Sequence, residues 1–264
     1  MKRLLVKAYF YVIWLFSAII ERFNLKMSVN NNQVDLGRIL VLAPHADDEW
    51  IGCSTILRKY KDSIVCNMDM EGGDSQKVHR LRREELSSLC SKYQLTLITI
   101  EDNKIERLAS AIRHYDVQTV CVPYFYDWHQ EHLAVMDLLQ GALEIVGRLA
   151  PHSITNILMY QVSIPIPYSQ INYLNPMAFS EWREKWKSFR NVYKSQDIPY
   201  FRFSMYELIT GGLSGVLFAE PFVVYKTDYW VENNKKLRPS NEEMSYIKNN
   251  INSIRKILRF RNKK

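Results

Sequence analysis

Short apolar runs, many of them rich in β-branched residues, alternate with amphipathic stretches along most of this chain. Apolar strands that alternate with helices build a mostly parallel sheet, because each parallel connection has to cross over one face of the sheet. We therefore predict an α/β fold with helices on both faces. The predicted strands are residues 38–43, 63–69, 95–100, 119–123, 154–162 and 215–225, and the predicted helices are residues 54–61, 77–93, 105–115 and 131–148.

Two clusters of histidine and acidic residues follow strands of this predicted sheet. The first strand runs into "PHADDE" at residues 44–49, and the strand that ends at Pro123 is followed by "DWHQEH" at residues 127–132. In parallel sheets, ligands bind beyond the carboxyl ends of the strands. Like charges packed this closely repel one another, so a cation, a substrate or proton transfer has to account for them. We expect the two clusters to meet at one edge of the sheet.

Three of these residues form a set of metal ligands. His45, Asp48 and His132 offer two imidazoles and a carboxylate, and a set of three that leaves a fourth position open suits catalytic zinc. Zinc makes a bound water more acidic and polarises a carbonyl oxygen. Asp47 is next to a ligand and can take a proton from that water as a general base.

The second cluster contributes two further candidates. His129 lies three residues before His132, at the start of a predicted helix, where it can face the reacting centre. Glu131 can orient a neighbouring histidine, as carboxylates behind metal ligands often do. Either cluster alone is typical of a solvated turn or of an acidic helix start. Their occurrence together after two strands of one sheet favours the metal site.

The clusters also resemble the motifs of a known family. "APHADDEWIGC" at residues 43–53 resembles the hallmark of the PIG-L/LmbE-like de-N-acetylases, PHPDDE followed by a glycine, and "DWHQEH" resembles their second motif, DxHPDH. Three weaker similarities follow in the order of the family: "RREEL" at 82–86 to R-x-x-E-L, "YKSQ" at 193–196 to HxSQ, and "LFAEPF" at 217–222 to YAEAF. The resemblance extends over about residues 36–226.

This resemblance implies a Rossmann-like three-layer sandwich, a divalent metal that is normally zinc, and hydrolysis of an N-acetyl group on an amino sugar of the N-acetylglucosamine type. At the cytoplasmic side of a membrane, a natural substrate would be a lipid-linked or nucleotide-linked sugar used in the synthesis of a cell-envelope glycan or glycolipid. By position, it makes His45, Asp48 and His132 the metal ligands and Asp47 the general base. His129 stands where the family has the histidine that stabilises or protonates the tetrahedral intermediate.

The chain departs from the family motifs at several positions. Glu131 replaces the usual Asp of the second motif and keeps its charge. The other departures are Ala46 and Gln130 in place of prolines, Tyr193 in place of the His of HxSQ, and Ser54 and Thr55 where glycines are frequent. None removes a ligand or the base, so we expect activity. Two alternatives remain: an amidase for a thiol conjugate or an antibiotic glycoside, and a membrane-tethered module that binds glycan without turnover.

The two ends of the chain point to a membrane. In the predicted N-terminal segment, residues 1–30, the 17 residues from Leu4 to Ile20 are apolar or small except Lys7, close to the minimum of about 17 for a membrane span. The segment therefore spans the bilayer, lies on its surface or packs on the protein's own core. The predicted tail, residues 240–264, is basic and amphipathic, which suits either an anionic membrane surface or a closing helix. Residues 36–230 form the predicted deacetylase domain.

Charge and cysteine content restrict the partners and the compartment. The net charge is +7, and seven basic residues without an acid lie between Met244 and Lys264, so the rest of the chain carries equal numbers of basic and acidic residues. We therefore expect no nucleic-acid partner. The four cysteines are far apart and form no CxxC, which favours free thiols in a reducing compartment. We predict a cytoplasmic enzyme at the inner face of the membrane.

Overall fold

The computed structural model describes residues 12, 15–23, 34–70, 75–149, 154–196, 198, 200–250 and 253–260. Within these ranges, seven strands form one sheet in the order β3-β2-β1-β4-β5-β7-β6. The strands are β1 (Ile39–Ala43), β2 (Ile64–Asn67), β3 (Thr96–Thr99), β4 (Thr119–Pro123), β5 (Asn156–Tyr160), β6 (Tyr173–Met177) and β7 (Phe218–Lys226).

The sheet is mostly parallel, as predicted. Strands β1 to β5 run parallel, and β7 pairs antiparallel with both β5 and β6. Every residue of β1, β4 and β5 is buried, as expected for parallel strands that are covered on both faces. Helices lie on both sides of the sheet, which confirms the predicted α/β fold.

The order of the strands reverses at β1, which lies between β2 and β4. At such a switch point the helices that follow the two neighbouring strands leave towards opposite faces, and a crevice opens beyond the carboxyl ends of the strands. The loops that leave β1 and β4 therefore border the same crevice. These loops carry the two predicted clusters.

Most predicted elements of the first half are confirmed, whereas several of the second half were not predicted. The helices are α1 (Asp48–Lys59), α2 (Gln76–Tyr93), α3 (Lys104–His114), α4 (Gln130–Leu149), α5 (Phe179–Val192), α6 (Tyr200–Gly211), α7 (Thr227–Leu237), α8 (Asn241–Asn249) and α9 (Ile254–Leu258). Helices α2, α3 and α4 lie within one residue of their predicted bounds. Helix α1 starts at Asp48, earlier than the predicted Ser54, and it is kinked at Cys53, whose φ of −129° and ψ of 19° are not helical.

The four cysteines are buried and unpaired, as the sequence predicted. Residues 15–23 are helical, and most of the other residues in the predicted N-terminal segment, 1–30, lie outside the described part. No described helix has both the length and the apolar character that crossing a bilayer requires. The described residues of the basic tail form two helices, since α8 ends at Asn249 and α9 starts at Ile254.

Candidate active site

The loop after β1 turns sharply into α1. Asp47, the residue before the helix, has a φ of 137°, a value that residues with a side chain rarely adopt. Its backbone N–H donates to Glu49 Oε2 over 3.1 Å. The backbone N–H of His45 donates to Asp48 Oδ2 over 2.9 Å. These two hydrogen bonds hold the loop so that His45, Asp47 and Asp48 lie close together at the edge of the sheet.

The loop after β4 brings the second cluster to the same place. Helix α4 starts at Gln130, so His132 lies in its first turn and His129 just before it. The ring centroids of His129 and His132 are 5.0 Å apart, and those of His45 and His129 are 5.9 Å apart. The three histidines predicted to form the site are therefore neighbours.

The three predicted ligands present their donor atoms to one point. His45 Nδ1 lies 3.1 Å from His132 Nε2, and Asp48 Oδ2 lies 3.2 Å from each of these nitrogens. Ligands at tetrahedral angles and about 2.0–2.1 Å from a zinc ion are separated by about 3.3 Å. The nearly equilateral triangle of donor atoms thus fits a small divalent ion with little rearrangement.

The hydrogen bond behind His132 comes from a residue that the sequence analysis did not single out. Asp127 Oδ2 lies 2.9 Å from His132 Nδ1, and both side chains are almost fully buried. Asp127 Oδ1 also accepts from the backbone N–H of His129 over 3.0 Å. The role of orienting a histidine, predicted for Glu131, is therefore filled by Asp127, whereas Glu131 lies on the wall of the adjoining cavity. The sequence gives no signal that separates Asp127 from Glu131, because both are acids of the same motif.

The ligand charges are strongly coupled. Burial alone would raise the pKa of Asp48, but His132 and His45 outweigh burial and hold that pKa below its usual range. Burial alone would lower the pKa of His132, but Asp48 and Asp127 raise it well above its usual value. In the metal-free protein, His132 therefore keeps a proton beside an ionised Asp48, and a metal ion has to displace that proton.

Asp47 and His129, the two predicted catalytic groups, have shifted pKa values for different reasons. Burial, assisted by repulsion from Asp48 and Glu49, raises the pKa of Asp47 well above its usual value. Burial, opposed by Asp127, lowers the pKa of His129. The ring of His129 is consequently neutral at pH 7, and a neutral imidazole still donates one N–H.

A cavity of about 310 Å³ adjoins the donor atoms. Its lining includes all six predicted site residues, which are His45, Asp47, Asp48, His129, Glu131 and His132. The rest of the wall is partly polar, through Arg82, Ser163 and Gln196, and partly apolar, through Ile51, Val162, Ile198 and Phe203. The site thus offers polar contacts on one part of its wall and an apolar surface on another.

Two residues of the segment "YKSQ" form hydrogen bonds with the loop after β1, which carries the first cluster. The hydroxyl of Tyr193 donates to Glu49 Oε1, and burial raises the pKa of Glu49 to about 7 despite this hydrogen bond. Gln196 Nε2 donates to the carbonyl of Ala46 over 3.1 Å. Tyr193, which replaces the His of HxSQ, therefore still supplies a hydrogen-bond donor to the acidic loop, through its hydroxyl group.

A buried ionic cluster fixes the body of α1. Lys185 Nζ donates to Glu220 Oε1 and to the carbonyl of Ile51, each over 2.6 Å. Glu220 in turn accepts from the hydroxyl of Ser54 over 2.6 Å and from the backbone N–H of Thr55 over 3.0 Å. The segment "LFAEPF" therefore contributes Glu220, whose hydrogen bonds hold α1, the helix that carries Asp48 in its first turn.

Known proteins are similar to this chain in sequence and in fold. Residues 40–143 match the model of the PIG-L family, described as GlcNAc-PI de-N-acetylase. The resemblance predicted from the sequence is confirmed. The matched segment contains the three candidate ligands.

Solved structures share the fold at low sequence identity. A conserved protein from Thermus thermophilus is 22% identical with a TM-score of 0.55, over 70% of this chain and 93% of that one. A 4-carboxy-2-hydroxymuconate hydratase from Pseudomonas putida is 14% identical with a TM-score of 0.52, over 71% and 95%. A deacetylase of the antimicrobial A40926 pseudoaglycone is 14% identical with a TM-score of 0.52, over 73% and 98%. These likenesses show the fold and do not decide the reaction.

Proposed function

Because this chain matches the PIG-L family over residues 40–143, we propose that the protein is a metal-dependent deacetylase that hydrolyses the N-acetyl group of an amino sugar. The observation that carries the proposal is the triangle of donor atoms from His45, Asp48 and His132, all within 4.8 Å of one another. Asp47, a buried carboxylate that is free of this triangle, lines the same cavity. A hydrolase of this kind needs both groups.

The donor set fits a divalent ion, and zinc suits it best. Two imidazole nitrogens and one carboxylate oxygen are typical ligands of catalytic zinc, whereas magnesium and calcium prefer oxygen ligands alone. A zinc ion bound by His45, Asp48 and His132 would polarise a carbonyl oxygen and make a water molecule more acidic. Asp127 would keep His132 in the orientation that binding requires, through the hydrogen bond at Nδ1.

In the proposed reaction Asp47 is the general base. Its carboxylate accepts a proton from the attacking water, the water oxygen bonds to the acetamide carbon, and the bond from that carbon to nitrogen then breaks. Acetate and a free amino group are the products, and the proton held by Asp47 can return to the leaving amine. The hydrogen bond from the Asp47 backbone to Glu49 keeps this carboxylate at the wall of the cavity.

His129 is proposed to stabilise the negative oxygen of the tetrahedral intermediate. It lines the cavity and stands beside His132, but it is not part of the triangle of donor atoms. A neutral ring that donates one N–H into a partly buried site can stabilise a developing oxyanion.

The lining of the cavity supports a single sugar ring as the group that enters it. Ligand sites usually range from about 300 to 1,000 Å³, so a cavity of about 310 Å³ is at the small end. Arg82, Glu131 and Ser163 offer polar groups to sugar hydroxyls, while Val162 and Phe203 form an apolar wall. We propose N-acetylglucosamine as the sugar, attached to a carrier used in the synthesis of a cell-envelope glycan or glycolipid.

The proposed location of this chemistry is the cytoplasm. All four cysteines are buried, unpaired thiols. Proteins of reducing compartments retain such thiols, whereas proteins secreted into oxidising compartments often pair them.

The test is acetate release from N-acetylglucosamine presented as the free sugar, as a nucleotide-linked sugar and as a lipid-linked sugar. An N-acetylated antibiotic glycoside and a thiol conjugate serve as the rival substrates. We expect release from an amino sugar, loss of activity with a chelator, and recovery when zinc is added back. The variant Asp47→Asn should lower kcat by about 10²–10⁴-fold, the usual contribution of a general base, and should still bind zinc.

The matched control is Asp62→Asn, because Asp62 is an exposed aspartate in the turn before β2. It should retain full activity. Acetate release that survives both chelation and Asp47→Asn would disprove the proposed mechanism. Zinc binding without turnover of any of these substrates would instead support a module that binds glycan without catalysis.

A further inference from the structure

The N-terminal helix presents an apolar face to solvent. Six apolar side chains of this helix are 37–82% exposed, and we call them the apolar stripe: Val12, Leu15, Phe16, Ile19, Ile20 and Phe23. Their spacing of three or four residues puts them on one side of a helix. Single exposed apolar residues are common in proteins, but a continuous exposed stripe usually marks a surface that binds something.

The opposite face of this helix is the charged one, and it is buried. Ala18 and Glu21 are almost fully buried, and the Glu21 carboxylate pairs with Arg255 at 3.1 Å and with Arg259 at 2.9 Å. The polarity is therefore opposite to that of an ordinary surface helix, which buries its apolar side. The helix cannot roll to bury the stripe without separating Glu21 from both arginines.

Arg22 fixes the helix from a second side. Its guanidinium donates to the carbonyl oxygens of Leu208, Val216 and Leu217 over 2.6, 2.7 and 3.0 Å. These carbonyls lie at the end of α6 and in the segment before β7. Two independent sets of polar contacts thus hold the stripe in an outward orientation.

Basic side chains lie beside the N-terminal helix, near Glu21. Helix α9, which packs against the N-terminal helix through Glu21, exposes Arg255 and Lys256, and Arg259 directly after it is exposed as well. The sequence continues with Arg261, Lys263 and Lys264. A second copy of the chain on the stripe would bring two such basic ends together, whereas a bilayer with anionic headgroups would attract them.

We propose that the N-terminal helix lies in the surface of a bilayer that contains anionic lipid, with the apolar stripe in the acyl boundary and the basic end of the chain at the headgroups. Helices with an apolar face and flanking basic residues bind membranes in this way. The proposal does not depend on which substrate the active site takes.

The experiment is flotation of the full chain with vesicles, one set of phosphatidylcholine alone and one with about a third phosphatidylglycerol. We expect binding to the anionic vesicles, weaker binding at high salt, and little binding to phosphatidylcholine. The variant Phe16→Gln/Phe23→Gln should reduce vesicle binding by at least about tenfold, because each phenylalanine loses the burial of a large apolar surface. The variant Lys256→Glu/Lys263→Glu should reduce binding to anionic vesicles only.

The matched control is Leu149→Gln/Phe179→Gln, which removes two apolar side chains of 61% and 57% exposure elsewhere on the surface. It should bind vesicles like the unaltered chain, and circular dichroism and thermal melting should show that all variants are folded. The main rival is a second copy of the chain that covers the stripe, and analytical sedimentation tests it by measuring the oligomeric state. A dimer that Phe16→Gln/Phe23→Gln dissociates, without vesicle binding, would show that a second copy covers the stripe and would overturn the proposal. A monomer that binds neither kind of vesicle would overturn the membrane proposal as well.

Discussion

Replacing Asp127 by asparagine should weaken metal binding more than any neutral change at the predicted partner, Glu131. Asp127 uses both carboxylate oxygens: Oδ2 bonds His132 Nδ1 at 2.9 Å and Oδ1 accepts from the backbone N–H of His129 at 3.0 Å. Asparagine has one oxygen and one NH₂ group in these places, so one of the two donors would face another donor. Either His132 loses its partner or the loop at His129 shifts.

The magnitude follows from the burial of this pair. Asp127 and His132 are both almost inaccessible to solvent, so water cannot replace the lost hydrogen bond. Loss of such a carboxylate behind a ligating histidine typically lowers metal affinity by about 10–100-fold, which is about 1.4–2.7 kcal/mol. We expect Asp127→Asn to lose zinc affinity in this range, and Glu131→Gln to stay within about threefold because Glu131 is only partly buried and its charge is screened.

The assay is competition for zinc with a chromophoric chelator at one pH and one ionic strength, with thermal melting as a check on folding. The two variants each remove one carboxylate charge within the same six-residue motif, so they are matched controls for each other. If Glu131→Gln loses affinity while Asp127→Asn does not, Glu131 orients the histidine and our assignment from the structure is wrong.

Two further predictions concern stability and pH. A Cβ atom on Gly52 would lie 2.1 Å from the ring of Tyr160, whereas one on Gly147 would meet nothing within 4 Å. Gly52→Ala should therefore lower the free energy of unfolding by about 1–3 kcal/mol, and Gly147→Ala should raise it by up to about 1 kcal/mol. Urea unfolding that ranks the two variants the other way would contradict this packing. Because Asp48 raises the pKa of His132 despite burial, zinc binding at neutral pH should release a proton, and affinity should fall as pH decreases below that raised value. In the metal-free protein, the same shift gives stability that is complete below about pH 6.5, the usual histidine value, and is lost as pH rises through the raised pKa. Calorimetry in two buffers of different ionisation enthalpy measures the released proton, and equal heats after correction for zinc–buffer binding would show that His132 is already neutral.

The fold of the first half was predictable because its elements have clear periodicity. Strands such as β1 and β4 are continuous apolar runs, and α2, α3 and α4 have regular amphipathic patterns. Strand β6 was not predicted because its sequence, "YLNPM", contains Asn175 and Pro176, which are uncommon in strands. The structure accommodates Pro176 because β6 lies at the edge of the sheet, where β7 is its only partner among the described strands.

The site was predictable as far as its residues follow strands directly. His45 and Asp48 come after β1, and His132 comes at the start of the helix after β4, so topology alone brings them to one edge. The partner of His132 could not be fixed in the same way, because Asp127 and Glu131 have the same charge and lie on either side of His129. The direction in which each side chain points depends on where α4 begins, and sequence patterns define helix starts only to within a few residues.

The candidate ligands and the residues that hold them in place come from two different parts of the chain. The segment that matches the family contains every candidate ligand, but Lys185, Tyr193, Gln196 and Glu220, which brace the loop and the helix, all lie after it. A fragment that stopped at residue 143 would keep the chemical groups and lose what aligns them. A substitution in the second half of the molecule can therefore displace candidate ligands that all lie in the first half.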